Sequence, residues 1–352
     1  MKTGIVLLNY GEPQTVDRNT VRDYLIRIFM DNASLDGDTT EAEIRERSEQ
    51  LAERRLPGLL EEYREIDGSP LIKQATAQKE ALDTELDQRG QSVNVYHAMQ
   101  HVDPLIPDIT EQLAADEISQ VIAVPVYPLC GQSTTVSSVN ALEESIADLS
   151  EYNPNFYSIT GWHRSPSYTR LRAENITTYL DRNNLEPNDS NTAFVFSAHG
   201  TPIKYLEGDS RYDLYVDEYT EMISQVLGIE EYHLGFQNHE NRGIDWTEPD
   251  IETVIESLDE SVEHVIVEPM SFMHEQSETL VELDIDLKKE AVERGFSFHR
   301  IPVPHDDDRF PALLADLVEP IIADVSPEYY QLRQCQCRPK ENTYCLNAPF
   351  EN

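Results

Sequence analysis

Short, wholly apolar runs alternate along this chain with longer stretches whose apolar residues recur every three or four positions. No other feature limits the fold as strongly. Strands that are apolar on both faces must be covered on both faces, and helix-length connections between them make their pairing parallel. Strands are read in GIVLLNYG (4–11), SVNVYHAM (92–99), SQVIAVPVYP (119–128) and NFYSITGW (155–162). After the first of these, TVRDYLIRIFM places Val21, Tyr24, Leu25, Ile28 and Phe29 on one helical face. RERSEQLAERRLPGLLEEYREI reads as helix broken near Pro57–Gly58. The pattern then restarts, with strands in TAFVFSAHG, EYHLGFQNH, HVIVEPMSF and FSFHRIPVP. The expected fold class is α/β, with two Rossmann-like domains whose parallel sheets flank a central cleft. Turn residues cluster in WHRSPSYTR, so the expected domains are 1–163 and 164–310. A closing helix over 311–327 that crosses back to the first domain and a polar, cysteine-bearing tail over 328–352 complete the chain.

Open α/β sheets bind ligands beyond the carboxyl ends of their strands. Tyr10, His101, Tyr127, His199, Gln237 and Phe272 all fall at or just after such ends, where they can line one cleft. FVFSAHGTP (194–202) sets His199 at the tip of a buried strand, and Gly200 beside it lets a ligand approach the backbone. A plain structural histidine is the alternative there. SFMHEQSETLVELDIDLKKE (271–290) carries Glu278, Glu282 and Asp286 at spacings of four, on one helical face. Such a row is either a solvated acidic surface or a set of oxygen ligands for a divalent cation. The GxGxxG and GxxxxGK[ST] fingerprints are absent, so the fold pattern implies no nucleotide. GxSxG is absent too, and His274–Glu275 lacks the second histidine of HExxH.

Composition narrows the setting. The longest apolar runs are strand-sized, far from the ~20 residues of a membrane span, and the amino-terminus has no signal-peptide pattern. A cytoplasmic enzyme is expected. The net charge of −39 repels nucleic acid and anionic bilayers. Its acids are scattered over the whole chain, as in proteins adapted to high salt. In a reducing cytoplasm Cys130, Cys335, Cys337 and Cys345 point to a metal or cluster site rather than disulfides.

Several stretches, in order, carry a family resemblance: LLNYGEPQTV…VRDYLIRIFMD, YREIDGSPL, YPLCGQSTTVSSVN, FSAHGTP, GFQN…IDWTEP and ETLVELDID. Together they resemble ferrochelatases, which insert ferrous iron into a porphyrin. The resemblance implies two Rossmann-like domains around a porphyrin cleft. It implies that His199 and Glu278 are the catalytic pair, and that His199, Glu278, Glu282 and Asp286 handle the Fe2+ substrate. Tyr10, Trp246 and Phe272 fall on positions that line the cleft, with Gln237 and His101 expected beside them as porphyrin contacts. Tyr10 leans toward coproporphyrin III over protoporphyrin IX. His199 and Glu278 are expected face to face across a gap wide enough for a flat macrocycle. Some members hold a [2Fe–2S] cluster on cysteines placed like Cys130, Cys335, Cys337 and Cys345; a zinc ion uses the same ligands. The family's cleft mouth can touch a bilayer, which this acidic surface opposes. Two departures stand out: Glu275 and Gln276 replace an Asp-His pair, and Gln100 and His101 replace Arg-Tyr. The alternatives are a cobalt or nickel chelatase for a sirohydrochlorin-type ring and a non-catalytic porphyrin or haem carrier.

Overall fold

All seven residues of β1 (Thr3–Asn9) are buried, so the strand can lie only in the middle of a sheet covered on both sides. In this computed structural model it pairs in parallel with β2 (Val93–Met99) and β3 (Gln120–Pro125), with Ile5 opposite both Val95 and Ile122. The structure describes residues 1–31, 33, 40–238, 244–327 and 331–346. The first sheet runs β2-β1-β3-β4-β10-β9, where β4 is Asn155–Ile159, β9 is Arg333–Gln334 and β10 is Thr343–Cys345. The second runs β6-β5-β7-β8, all parallel: β5 is Thr192–His199, β6 His233–Gln237, β7 His264–Pro269 and β8 Ser297–Arg300.

The first half holds helices α1 (Arg18–Asp31), α2 (Glu41–Glu65), α3 (Leu71–Gln88), α4 (Ile106–Ala115) and α5 (Ser137–Asp148). The second holds α6 (Pro166–Asn183), α7 (Ile203–Leu206), α8 (Tyr212–Leu227), α9 (Ile251–Glu256), α10 (Lys288–Glu293) and α11 (Phe310–Ile322). Two segments are π-helices, π1 (Gln132–Val136) and π2 (Glu278–Leu287). One continuous apolar cluster joins Ile5 and Ile122 of the first sheet to Phe194 and Ile266 of the second, by way of Trp162 and Phe310. Each such side chain adds about 1.5–3 kcal/mol by leaving water.

Three sequence expectations change. The break near Pro57–Gly58 is absent, and α2 runs through it unbroken. Both residues lie on the exposed face, where water serves the carbonyl that proline leaves unpaired, while Ala52, Leu56, Leu59 and Tyr63 are buried beneath. Residues 278–287 form a π-helix where an α-helix was expected. The tail is no appendage: β10 joins the first sheet parallel to β4, with Tyr344 opposite Ile159, and β9 pairs back onto β10. Buried Arg338 fastens this hairpin, donating to Asn140 Oδ1 (2.9 Å), Glu143 Oε2 (2.5 Å) and the Thr343 hydroxyl. Of the tail, 328–330 and 347–352 lie outside the described residues, as does the final histidine of the expected EYHLGFQNH strand.

The last helix does cross back. Arg89 of α3 reaches Asp316 (2.7 Å) and Glu319 (3.0 Å) of α11, and Gln120 Nε2 donates to the Ile321 carbonyl (3.4 Å). None of the described helices is long and apolar enough to cross a membrane.

Candidate active site

Strands β5, β6 and β7 end side by side, and their last residues assemble the first wall of the site. Ser197 Oγ donates to Gln237 Oε1 (2.8 Å) at the ends of β5 and β6. The His199 N–H donates to Ser271 Oγ (2.9 Å), which also contacts the Tyr212 hydroxyl (2.9 Å). His199 Nδ1 lies 2.6 Å from the Gly200 carbonyl. A carbonyl only accepts, so Nδ1 carries the hydrogen and the neutral ring presents Nε2 as its basic atom. Nε2 is 3.9 Å from Glu278 Oε1, with 30% of the His199 and 17% of the Glu278 side chain exposed. The Phe272 ring stands edge-on to the imidazole, 6.1 Å between centroids. Glycine is required at 200, because a Cβ there would lie 2.7 Å from the Gln237 carbonyl oxygen.

The expected macrocycle-wide gap between His199 and Glu278 is therefore absent. At 3.9 Å they are neighbours on one wall, because β5 and β7 are adjacent strands and π2 begins shortly after β7. Gln237 is not a cleft contact either. It is buried, and its Nε2 donates to the Glu278 carbonyl and to Glu282 Oε2, both at 2.8 Å. Its work is to hold the acid row. Along that row Glu278 is innermost, Glu282 half-buried, and Asp286 exposed at the surface end.

Sequence reasoning passed over one acid. Gly11, at φ +83°, turns the chain after β1, and buried Glu12 follows. Glu12 accepts from the Ser277 N–H (3.0 Å) and from the Ser277 hydroxyl, which also lies 3.2 Å from Glu278 Oε2. Burial raises both groups; for Glu278 the charges of Glu12 and Glu282 add to it. The available signal was an acid placed at a strand end by a glycine turn, the logic applied to His199.

Burial, opposed by the Gln237 hydrogen bond, pushes Glu282 to about 7. The folded value is raised, so the stability this group allows is intact below the ordinary 4.5 and is lost as pH climbs to about 7. Glu282→Gln keeps an acceptor for Gln237 and removes that loss. The variant is expected to match wild type in thermal unfolding at pH 4 and to be about 1–3 kcal/mol more stable at pH 8. Equal stability at pH 8 would contradict the assignment.

Tyr10, two residues before Glu12, is half-buried. Its N–H donates to the Tyr127 hydroxyl (2.9 Å), and its ring meets His101 edge-on at 4.3 Å. His101 itself is a correction. Its side chain is 2% exposed, behind Tyr10, and burial with nearby Arg27 lowers it to about 3. It backs a cleft residue instead of forming a contact of its own. Half-buried Trp246 lies on a short ribbon in which the Ile203 N–H donates to the Asp245 carbonyl and the Thr247 N–H to the Thr201 carbonyl, beside the turn that follows His199.

The departures from the family pattern are absorbed internally. Glu275 accepts two bonds from Arg300 (2.9 and 3.0 Å) and one from the Val303 N–H (2.9 Å). Gln276 is buried, and its N–H donates to Thr279 Oγ1. Gln100 Nε2 donates to Ser137 Oγ (3.0 Å) at the end of π1. His274 is buried and held neutral, lowered to about 3 by burial and by His305 and His97. Behind the wall, fully buried Arg172 of α6 pairs with fully buried Glu268 of β7. Arg172 also donates to the Phe272 (3.3 Å) and Pro269 (3.1 Å) carbonyls and to the Tyr219 hydroxyl (3.0 Å), so it shapes the turn that carries Phe272.

Apart from this site, the sulfurs of Cys130, Cys335 and Cys337 lie within 4.8 Å of one another, all buried. Hydrogen bonds from Cys130, Cys337 and Cys345 lower the Cys335 thiol from its ordinary value. Thr160 Oγ1 (3.1 Å to Cys335) and the Tyr215 hydroxyl (3.6 Å to Cys337) complete the shell. Four converging thiols without a disulfide suit a thiophilic metal or an iron–sulfur cluster.

Comparison with known proteins places the chain in a family. A family model described as ferrochelatase matches residues 2–321, so the cysteine hairpin lies beyond its end. A ferrochelatase of Nostoc punctiforme is 31% identical over 328 residues, covering 90% of this chain and 81% of the relative. One of Synechococcus sp. (strain JA-3-3Ab) is 30% identical over 334 residues, covering 93% and 96%. Among solved structures, SirB from Bacillus subtilis with Fe3+ shares the fold at a TM-score of 0.51, with 11% identity over 90% of this chain and 95% of that one.

Proposed function

The chain belongs to the ferrochelatase family, and from that premise we propose that it inserts Fe2+ into protoporphyrin IX or coproporphyrin III and releases two pyrrole protons. The observation that carries the reading is the 3.9 Å approach of His199 Nε2 to Glu278 Oε1 at the inner end of an acid row. The macrocycle lies between this wall and Tyr10, with Trp246 at its edge, while Phe272, itself buried, packs edge-on against His199. Neutral Nε2 takes the two pyrrole protons in turn and passes each to water through the exposed part of the ring, a task for which imidazole suits pH near 7. Asp286 and Glu282 draw ferrous iron inward, and Glu278 receives it opposite the ring. Rim contacts supply the energy that bends the ring and exposes its nitrogens.

Anaerobic steady-state assays with each ring and metal, at high and low salt, test this. Iron insertion into either porphyrin is expected, with most activity at high salt in keeping with the charge of −39. Faster cobalt or nickel insertion into sirohydrochlorin would contradict it, and so would porphyrin binding without turnover.

Cys130, Cys335, Cys337 and Cys345 are read as holding a [2Fe–2S] cluster, which would cross-link the carboxy-terminal hairpin to the loop after β3. Purified, porphyrin-free protein is then expected to absorb in the visible and to contain iron with acid-labile sulfide. A colourless protein with stoichiometric zinc and no sulfide would overturn this part.

A further inference from the structure

Three polar ties cross from the first half of the molecule to the segment that leads into π2. Gln78 Nε2 donates to the Met273 carbonyl (3.1 Å) and to that of His305 (3.0 Å). The Glu275 N–H donates to Gln74 Oε1 (2.8 Å). The Ser277 N–H and hydroxyl donate to Glu12. Gln74 and Gln78 are one helical turn apart on α3, so both meet this segment from the same helix. The first two ties hold backbone. The third is different in kind, because it ends on the residue preceding Glu278 and its hydroxyl also touches the Glu278 carboxyl, at 3.2 Å.

We propose that Glu12 is a positioning residue for metal insertion, fixing the Glu278 carboxyl through Ser277. This rests on the reading of the chain as a porphyrin metallating enzyme. The Glu12 carboxylate is turned toward Ser277, each of its oxygens accepting a hydrogen bond from that residue. Its effect on Glu278 is geometric. With the Ser277 backbone and hydroxyl both held, the Glu278 carboxyl is confined between Ser277 Oγ on one oxygen and His199 Nε2 on the other. Glu12 comes from the strand end that also carries Tyr10, so the contact sets the acid against the opposite wall. Releasing it leaves the macrocycle's surroundings intact and lets the acceptor of the metal wander. That predicts a loss in the chemical step and not in porphyrin binding.

The test compares Glu12→Gln, Ser277→Ala and Ser277→Thr with wild type in anaerobic iron insertion, with porphyrin binding followed by fluorescence quenching and folding by thermal melts. Glu12→Gln and Ser277→Ala are expected to lower kcat about tenfold or more, as removal of a ligand-orienting partner does. KM for porphyrin is expected to stay within about twofold, which marks loss at the reacting step. Ser277→Thr, which keeps the hydroxyl, is expected to recover most of kcat. The proposal is overturned if Ser277→Ala keeps wild-type kcat, if the loss appears in porphyrin KM, or if Ser277→Thr is as impaired as Ser277→Ala. Wild-type protein that metallates neither porphyrin would instead remove the functional reading. Active wild type with unaffected variants removes only the role of Glu12.

Discussion

His199→Ala is expected to lower kcat for iron insertion by about 10²–10⁴-fold, the usual worth of a positioned general base. Porphyrin binding, read by fluorescence, should change little. The imidazole presents Nε2 to the site, since Nδ1 is committed to the Gly200 carbonyl at 2.6 Å. Alanine removes the proton acceptor, while the strand end stays held by the His199 backbone bond to Ser271. The Phe272 edge contact is lost as well, a small packing term beside the loss of a base. A variant with wild-type turnover would show that the pyrrole protons leave by another route.

Arg172→Met is expected to cost about 3–5 kcal/mol in unfolding free energy, because it strands the Glu268 carboxylate without its partner in a dry interior. Both side chains are fully buried, and the arginine also serves the Phe272 and Pro269 carbonyls. The double variant Arg172→Met with Glu268→Leu is expected to regain most of that loss, since an apolar pair of similar bulk needs no partner. Denaturant unfolding of the three proteins checks this. A single variant within about 1 kcal/mol of wild type would mean the pair does not carry the turn.

The contrast between these residues shows what could be read from sequence. The strand-end position of His199, the row of Glu278, Glu282 and Asp286, and the grouping of Cys335, Cys337 and Cys345 were legible in local spacing, whereas the pairing of His199 with Glu278 and of Cys130 with the tail came only from the family resemblance. The alternation of apolar strands and amphipathic helices likewise exposed both parallel sheets. Arg172 and Glu268 were not legible, because 96 positions separate them and neither sits in a local pattern. Gln237 was placed in the cleft from its strand-end position, but its amide is used inward on Glu278 and Glu282. Strand position does not say which way a polar group is satisfied. The hairpin of β9 and β10 was hidden because strands of two and three residues are too short to show a period. The side-by-side placement of His199 and Glu278 depends on π2 beginning shortly after β7, which no repeat in the sequence announces.

The claim on which the rest depends is that these two residues act as one centre. The most direct measurement is kcat for anaerobic iron insertion in His199→Ala, Glu278→Gln and the double variant, each checked for folding and porphyrin binding. The predicted result is a double variant no slower than the slower single one, as expected when either loss disables a shared step. Losses that multiply would contradict it and would place the imidazole and the carboxyl in separate, independent steps.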